Sequence, residues 1–189
     1  DEFAGLGADG LTRVGNAFSG VVVSGVGTGV IIGGPTAASR NVISGNDRSF
    51  GINASNTNGL VVQNNYVGTD STGAAAVGNR GGGIVFQGAG TANGLVRDNV
   101  ISGNLSNVPV GGSNIGHGIE TLAGVQILGN FIRLWYRGYL RHLRAHFLWV
   151  GGFGRHRSPA VGMALRHTCG RRRDLRAIGI IIFIIAFWF

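Results

Sequence analysis

The six residues "NVISGN" occupy positions 41–46 and recur, letter for letter, at positions 99–104. An identical string in a chain of 189 residues indicates either two copies of a chemical site or two turns of a repeating scaffold. The flanking sequence decides between these interpretations, because a scaffold should repeat beyond the six letters.

The repeat extends further when its central Ile is used as an anchor. The anchors are Ile43, Val67, Ile101 and Ile132, and two residues before them stand Asn41, Asn65, Asn99 and Asn130. The same alignment places Asp70 in the column of Asn46 and Asn104, three residues after the anchor. The string is therefore one part of a longer repeating unit.

Two more apolar columns belong to this unit. One lies five residues before the anchor, at Val62, Val96 and Ile127. The other follows a Gly that starts each unit, at 20–21, 51–52, 83–84 and 118–119, so that successive starts are 31, 32 and 35 residues apart. Each unit thus contains three short apolar segments.

Short segments of Val and Ile that are punctuated by Gly and Asn predict strands and turns. Helical repeats have similar periods, but 29 of the 36 Gly lie in the first 132 residues, and each interior Gly costs a helix roughly 1 kcal/mol relative to Ala. In a solenoid of parallel strands, equivalent residues stack about 4.8 Å apart, so an Asn column becomes a hydrogen-bonded ladder. Asn suits that turn because it tolerates the left-handed conformation and its amide both donates and accepts.

Three segments, "GPTAASRNVISGN" (34–46), "VVQNNYVGTDSTGAAAVGN" (61–79) and "GIVFQGAGTANGLVRDNVISGN" (83–104), carry a family resemblance. The chain from about 16 to 132 resembles the right-handed parallel β-helix repeats of bacterial surface and secreted proteins, within the pectate-lyase-like superfamily. The resemblance implies an all-β, right-handed parallel β-helix of about four coils, an extracellular or cell-surface location and an association with carbohydrate. It leaves the activity open, because polysaccharide lyases, glycoside hydrolases, adhesins and structural spacers share this fold.

Cleavage of a polysaccharide requires paired carboxylates or an acidic calcium cluster with a basic proton acceptor. In the repeat region no two acids are neighbours apart from Asp1 and Glu2, and turn chemistry explains Asp70. We therefore expect no catalytic residues, metal or cofactor in this piece, and we interpret the chain as a structural or binding module. The alternative is a fragment of a polysaccharide lyase or glycoside hydrolase whose catalytic coils lie outside it.

Two longer excursions, at 70–82 and 105–117, follow the third column. Because both leave the coil at the same register in this alignment, we expect them to project from one side and to wall a shallow groove, where a polysaccharide or a cell-surface partner would bind. The binding candidates there are Asp70, Arg80, His117 and Glu120. The competing interpretation is a pair of small polar loops with a purely structural role.

The composition changes near Ile132. Up to that residue there are five Arg and seven acids, whereas eleven Arg and one acid follow, so the overall charge of +8 is no argument for nucleic acid. No signal-peptide pattern opens the sequence. We divide the chain into an N-terminal remnant or partial coil (1–15), parallel β-helix repeats (16–132) and an Arg-rich, apolar tail (133–189).

The tail supports two hypotheses. Arg133, Arg137, Arg141 and Arg144 have helical spacing, which is typical of a cationic amphipathic helix at a membrane, although the apolar stretch 177–189 is shorter than the ~20 residues that span a bilayer. A reading-frame shift after Ile132 explains the abrupt change better and predicts a tail that is not native sequence, and hence disordered. Neither end of the repeats shows a polar cap, so edge-to-edge self-association is expected of a piece of a longer solenoid.

Overall fold

The computed structural model describes residues 2–25, 29–105, 117–121 and 124–136, together with four short segments at 109–110, 113–114, 139–145 and 148–150. The fold is a parallel β-solenoid of about three turns with three parallel sheets, and no α-helix occurs among these described residues. The prediction of an all-β parallel solenoid is confirmed. The sequence predicted about four coils, and most of the segment between 105 and 117 in the last of them lies outside the described residues.

Each turn of the chain contributes one strand to each sheet. Sheet I contains β1 (Glu2–Ala4), β4 (Asn41–Ile43), β7 (Tyr66–Val67), β10 (Val100–Ser102), β15 (Asn130–Tyr136) and β16 (Tyr139–Ala145). Sheet II contains β2 (Val21–Ser24), β5 (Phe50–Ser55), β8 (Gly82–Gln87) and β13 (Ile119–Thr121), and sheet III contains β3 (Ile31–Gly33), β6 (Val61–Gln63), β9 (Gly94–Arg97), β14 (Val125–Leu128) and β17 (Leu148–Val150). A separate antiparallel pair is formed by β11 (Pro109–Val110) and β12 (Ser113–Asn114).

The three predicted apolar columns form the core. Ile43 pairs with Val67, and Val67 with Ile101, in parallel register, and none of the three side chains is exposed. Ala4 extends this column at its N-terminal end, as Ile32 extends the column of Val62, Val96 and Ile127 in sheet III. Full burial of each Val or Ile contributes about 1.5–3 kcal/mol, so these stacks are the main source of stability.

The predicted Asn ladder is also confirmed. The Oδ1 atom of Asn65 accepts from the backbone N–H of Asn41 at 3.1 Å and from its Nδ2 at 3.2 Å, and the same pair of bonds links Asn65 to Asn99 and Asn99 to Asn130. The left-handed residue is the one before the ladder position, as at Asn64 and Asp98. Asn is thus selected here for its amide rather than for its backbone conformation.

A second ladder, formed by Asn16, Asn46, Asn79 and Asn104, corrects the alignment made from the sequence. Asn46 donates from its backbone N–H and its Nδ2 to Asn79 Oδ1 at 3.1 and 2.7 Å, and Asn79 donates to Asn104 Oδ1 in the same way. Asn79, not Asp70, therefore occupies the column of Asn46 and Asn104. Asp70 falls within a loop that leaves the coil at Gly68 and returns at Asn79.

The last described strands run antiparallel to the solenoid. β16 pairs with β15, and β17 pairs with β14, so the C-terminal edges of sheets I and III carry antiparallel partners. Residues 133–136, 139–145 and 148–150 are strands, where the Arg spacing favoured a helix. Residues 151–189, which include the apolar stretch 177–189, lie outside the described residues.

Candidate functional site

The two predicted excursions leave the coil at different points. The first runs from Gly68 to Asn79 and so precedes the second Asn ladder, whereas the second begins at Leu105, directly after the ladder residue Asn104. The expectation of one shared register was wrong, because it rested on placing Asp70 in the ladder column. The first excursion therefore precedes this ladder and the second follows it, and most of residues 106–116 lie outside the described residues.

The Asp70 side chain is held by hydrogen bonds inside the first excursion. Its side chain accepts hydrogen bonds from the Thr72 hydroxyl at 2.8 Å and from the N–H groups of Ala74 and Ala75 at 3.0 and 3.2 Å. Burial raises the pKa of Asp70, but these hydrogen bonds outweigh burial and hold its pKa below the ordinary value. With 5% of its surface exposed, this carboxylate orders its own loop.

Arg80 lies on an exposed corner beside an acidic residue. Its side chain is 54% exposed, and its Nε is 3.8 Å from Asp47 Oδ1. The same Asp47 oxygen accepts from Arg13 Nη1 at 2.8 Å, and that nitrogen also donates to Gly45 O. Arg80 is therefore the more available of the two guanidinium groups.

His117 and Glu120 form a pair on the next coil. His117 Nδ1 is 3.0 Å from Glu120 Oε2, and the carbonyl of His117 accepts from the N–H of Gly83, three residues after Arg80. Glu120 lies on the outer face of sheet II, in strand β13, and pairs with Val85 of β8. We call Asp47, Arg80, His117 and Glu120 the charged corner.

The structure thus pairs His117 with Glu120 and places Arg80 on the preceding coil, three residues before the Gly83 N–H that donates to His117 O, whereas Asp70 is bound within its own loop.

Sequence reasoning missed Arg13 and Asp47. Arg13 lies in residues 1–15, which the sequence analysis interpreted as an N-terminal remnant. Asp47 approaches Arg13 and Arg80 only when coils that begin 31 to 35 residues apart are stacked. Asp47 directly follows Asn46, a ladder residue, and this position in the sequence could have indicated that Asp47 lies at a corner of the coil.

The pKa of a second loop aspartate, Asp9, leads to a testable prediction about how the stability of its loop depends on pH. It accepts from the Thr12 hydroxyl and from the N–H groups of Thr12 and Leu11, and these bonds lower its pKa from 3.8 to about 2. The lowered pKa means that the stabilising contribution is complete above pH 3.8 and is lost as the pH falls through about 2. NMR titration should give a midpoint near 2, and Asp9→Asn should abolish the loosening of this loop in that window. A midpoint at the ordinary carboxyl value would contradict these bonds.

In the part of the chain that the structure describes, no group of three or more His, Cys, Asp or Glu side chains is placed to hold a metal. The described residues also include no helix with the length and apolar character needed to cross a membrane.

No family model, no curated protein and no solved structure matches this chain. The chain is a parallel β-solenoid with buried Asn ladders.

Proposed function

We propose that this chain is a structural and binding β-helix module of an extracellular bacterial protein, and that its charged corner contacts a polysaccharide. The observation that carries the proposal is the division of polar groups between two roles. The eight ladder Asn residues are hydrogen-bonded along the solenoid axis, which makes a rigid scaffold, whereas the four side chains of the charged corner are partly exposed on successive coils.

The chemistry of the corner favours a polymer that carries carboxylates. A guanidinium binds a carboxylate through two parallel hydrogen bonds, and the Nε of Arg80 is 3.8 Å from Asp47, which leaves the group free to reorient. The pair of His117 and Glu120 offers donors and acceptors to hydroxyl groups one coil further along. Binding groups on successive coils, about 4.8 Å apart, suit an extended chain that lies along the axis.

Affinity electrophoresis of the full chain tests this proposal. We expect retardation in gels that contain polygalacturonate, no retardation in neutral dextran, and a several-fold weaker effect for Arg80→Gln. Arg97→Gln is the matched control, because Arg97 is similarly exposed but is paired with the adjacent Asp98 at 3.0 Å on sheet III. Equal weakening by both substitutions would indicate charge attraction alone and would contradict a site at the corner.

The same samples distinguish the alternative functions. Release of unsaturated or reducing sugar ends from polygalacturonate would indicate that the chain is a lyase or a hydrolase and not a binding module. Flotation of the full chain with anionic liposomes, together with no retardation by polysaccharide, would favour membrane association through 133–189.

A further inference from the structure

The strands of the first coil form one end of the solenoid. Within the described residues, each of β1, β2 and β3 is the outermost strand of its sheet and has a hydrogen-bonded neighbour on one side only. We call these three strands the N-terminal edge. The backbone N–H and C=O groups on the open side of an edge strand are a template for pairing with another strand. The sequence predicts such self-association but does not select an end of the solenoid.

The first coil also carries the exposed apolar side chains. Among the residues whose side chains are described, all large apolar side chains that are exposed lie between positions 11 and 31. They are Leu11, Val14, Phe18, Val22 and Ile31. Ile31 shares one column of sheet III with Val61 and Leu95, which lie further into the stack and are half-buried. The apolar exposure therefore belongs to this end of the stack, and it favours contact with another protein surface.

The opposite end of the stack is less suited to pairing with a second copy of the chain. Sheets I and III end there in the antiparallel strands β16 and β17, whereas sheet II ends at β13, so this end is stepped. Strand β16 has the sequence YLRHLRA, which includes Arg141 and Arg144, and charged residues on an edge strand oppose edge-to-edge pairing. At the N-terminal edge all three sheets end in the same coil, and the three strands include a single charged residue, Glu2.

We infer that the N-terminal edge is the interface of a symmetric dimer, in which the first coils of two copies of this chain meet head to head. A two-fold axis perpendicular to the solenoid axis pairs the edge strands antiparallel and closes the assembly at two copies. Head-to-tail contact would join the N-terminal edge to the stepped end and would build an open filament. This inference goes beyond the proposed function, because the charged corner takes no part in the interface.

The charges of the edge strands select the position of the two-fold axis. An axis through one edge strand pairs that strand with its own copy and pairs the other two strands with each other. An axis through β1 would bring together two exposed Glu2 carboxylates, whereas β2 (VVVS) and β3 (IIG) are uncharged. Strand β2 is the longer of these two and contains Val22, which is 61% exposed. In the dimer, β2 therefore pairs with β2 of the second copy, and β1 pairs with β3.

Sedimentation velocity of the full chain gives the first test. We expect a dimer whose proportion rises with concentration, and no larger species. Val22→Lys should raise the dissociation constant at least about tenfold, because the two introduced charges would lie on adjacent strands. Asn53→Lys is the matched control, since Asn53 is the neighbour of Val22 one coil further in. Its charges would lie about 14 Å apart across the interface and would be screened, so the dissociation constant should hardly change.

Three results of this measurement would overturn the inference. They are a monomer at every concentration, species that keep growing with concentration, and equal effects of the two substitutions. Growing species would indicate head-to-tail contact, and equal effects would place the interface away from β2.

Spin labels locate the interface without a charged substitution. Ser24 and Gln87 stand in one column of sheet II, on the first and third coils. Each is replaced in turn with Cys for labelling, and Cys169, the single Cys of the chain, is replaced with Ser. In the head-to-head dimer the labels at 87 should be about 19 Å further apart than the labels at 24. Equal separations at the two positions are the result of head-to-tail contact and would overturn the inference.

Discussion

Replacement of Gly68 with Ala should lower the free energy of unfolding by about 3–5 kcal/mol. The backbone of Gly68 has φ of 92°, a conformation that costs a non-glycine residue about 1–3 kcal/mol. The added Cβ would also lie 2.2 Å from Ser102 O and 2.3 Å from Asn104 Oδ1, so two coils would have to separate. Urea denaturation followed by circular dichroism measures the change.

Gly29→Ala is the matched control for this prediction. Gly29 has nearly the same φ, 97°, but no atom lies within 4 Å of its added Cβ. It should therefore show the backbone cost alone, about 1–2 kcal/mol. If the two substitutions destabilise the protein equally, the close packing of the coils at Gly68 is wrong.

Replacement of Asn79 with Ala should destabilise the protein by about 4 kcal/mol, because it removes the central member of the second ladder. Asn79 is fully buried. Its loss leaves the N–H of Asn46 without its acceptor and removes one of the two acceptors of Asn46 Nδ2, which keeps Ala4 O. It also removes one of the two donors to Ile43 O, which keeps the N–H of Gly68. Each buried polar group that loses its partner costs about 1–3 kcal/mol. Thermal or urea unfolding measures the sum.

Two control substitutions make this prediction specific. Asn53→Ala removes a single hydrogen bond to Gln87 on the outer face of sheet II and should cost about 1 kcal/mol. Asp70→Ala should loosen only its own loop and leave the exchange of the Asn46 amide unchanged. If Asp70→Ala exposes the Asn46 amide and Asn79→Ala does not, the ladder assignment is wrong.

The apolar columns and the first ladder could be predicted from the sequence because each is a column of one residue type at a nearly constant offset. Asn79 was missed for the opposite reason. It follows its anchor, Val67, by twelve residues, whereas Asn46 follows Ile43 by three. An alignment with a constant offset of three residues from the anchor therefore selected Asp70, which lies inside the loop.

The candidate site was less accessible to sequence reasoning. The spacing of three between His117 and Glu120 gave no reason to expect their contact within a strand and turn. The contact between Arg80 and Asp47 depends on how coils of unequal length are stacked. The coil formed by residues 2–16 was missed because the repeat was taken to begin at Asn16. The pairing of β1 with β4 shows that this segment is stacked on the same coils.

The central claim is that the two "NVISGN" strings are separated by one intervening coil within a parallel stack. Methyl NOE spectroscopy of the Ile- and Val-labelled full chain tests it most directly. Adjacent coils lie about 4.8 Å apart and alternate coils roughly 10 Å apart, so we expect cross-peaks between Ile43 and Val67 and between Val67 and Ile101, and none between Ile43 and Ile101. A direct cross-peak between Ile43 and Ile101, with both cross-peaks to Val67 missing, would contradict the order of the coils.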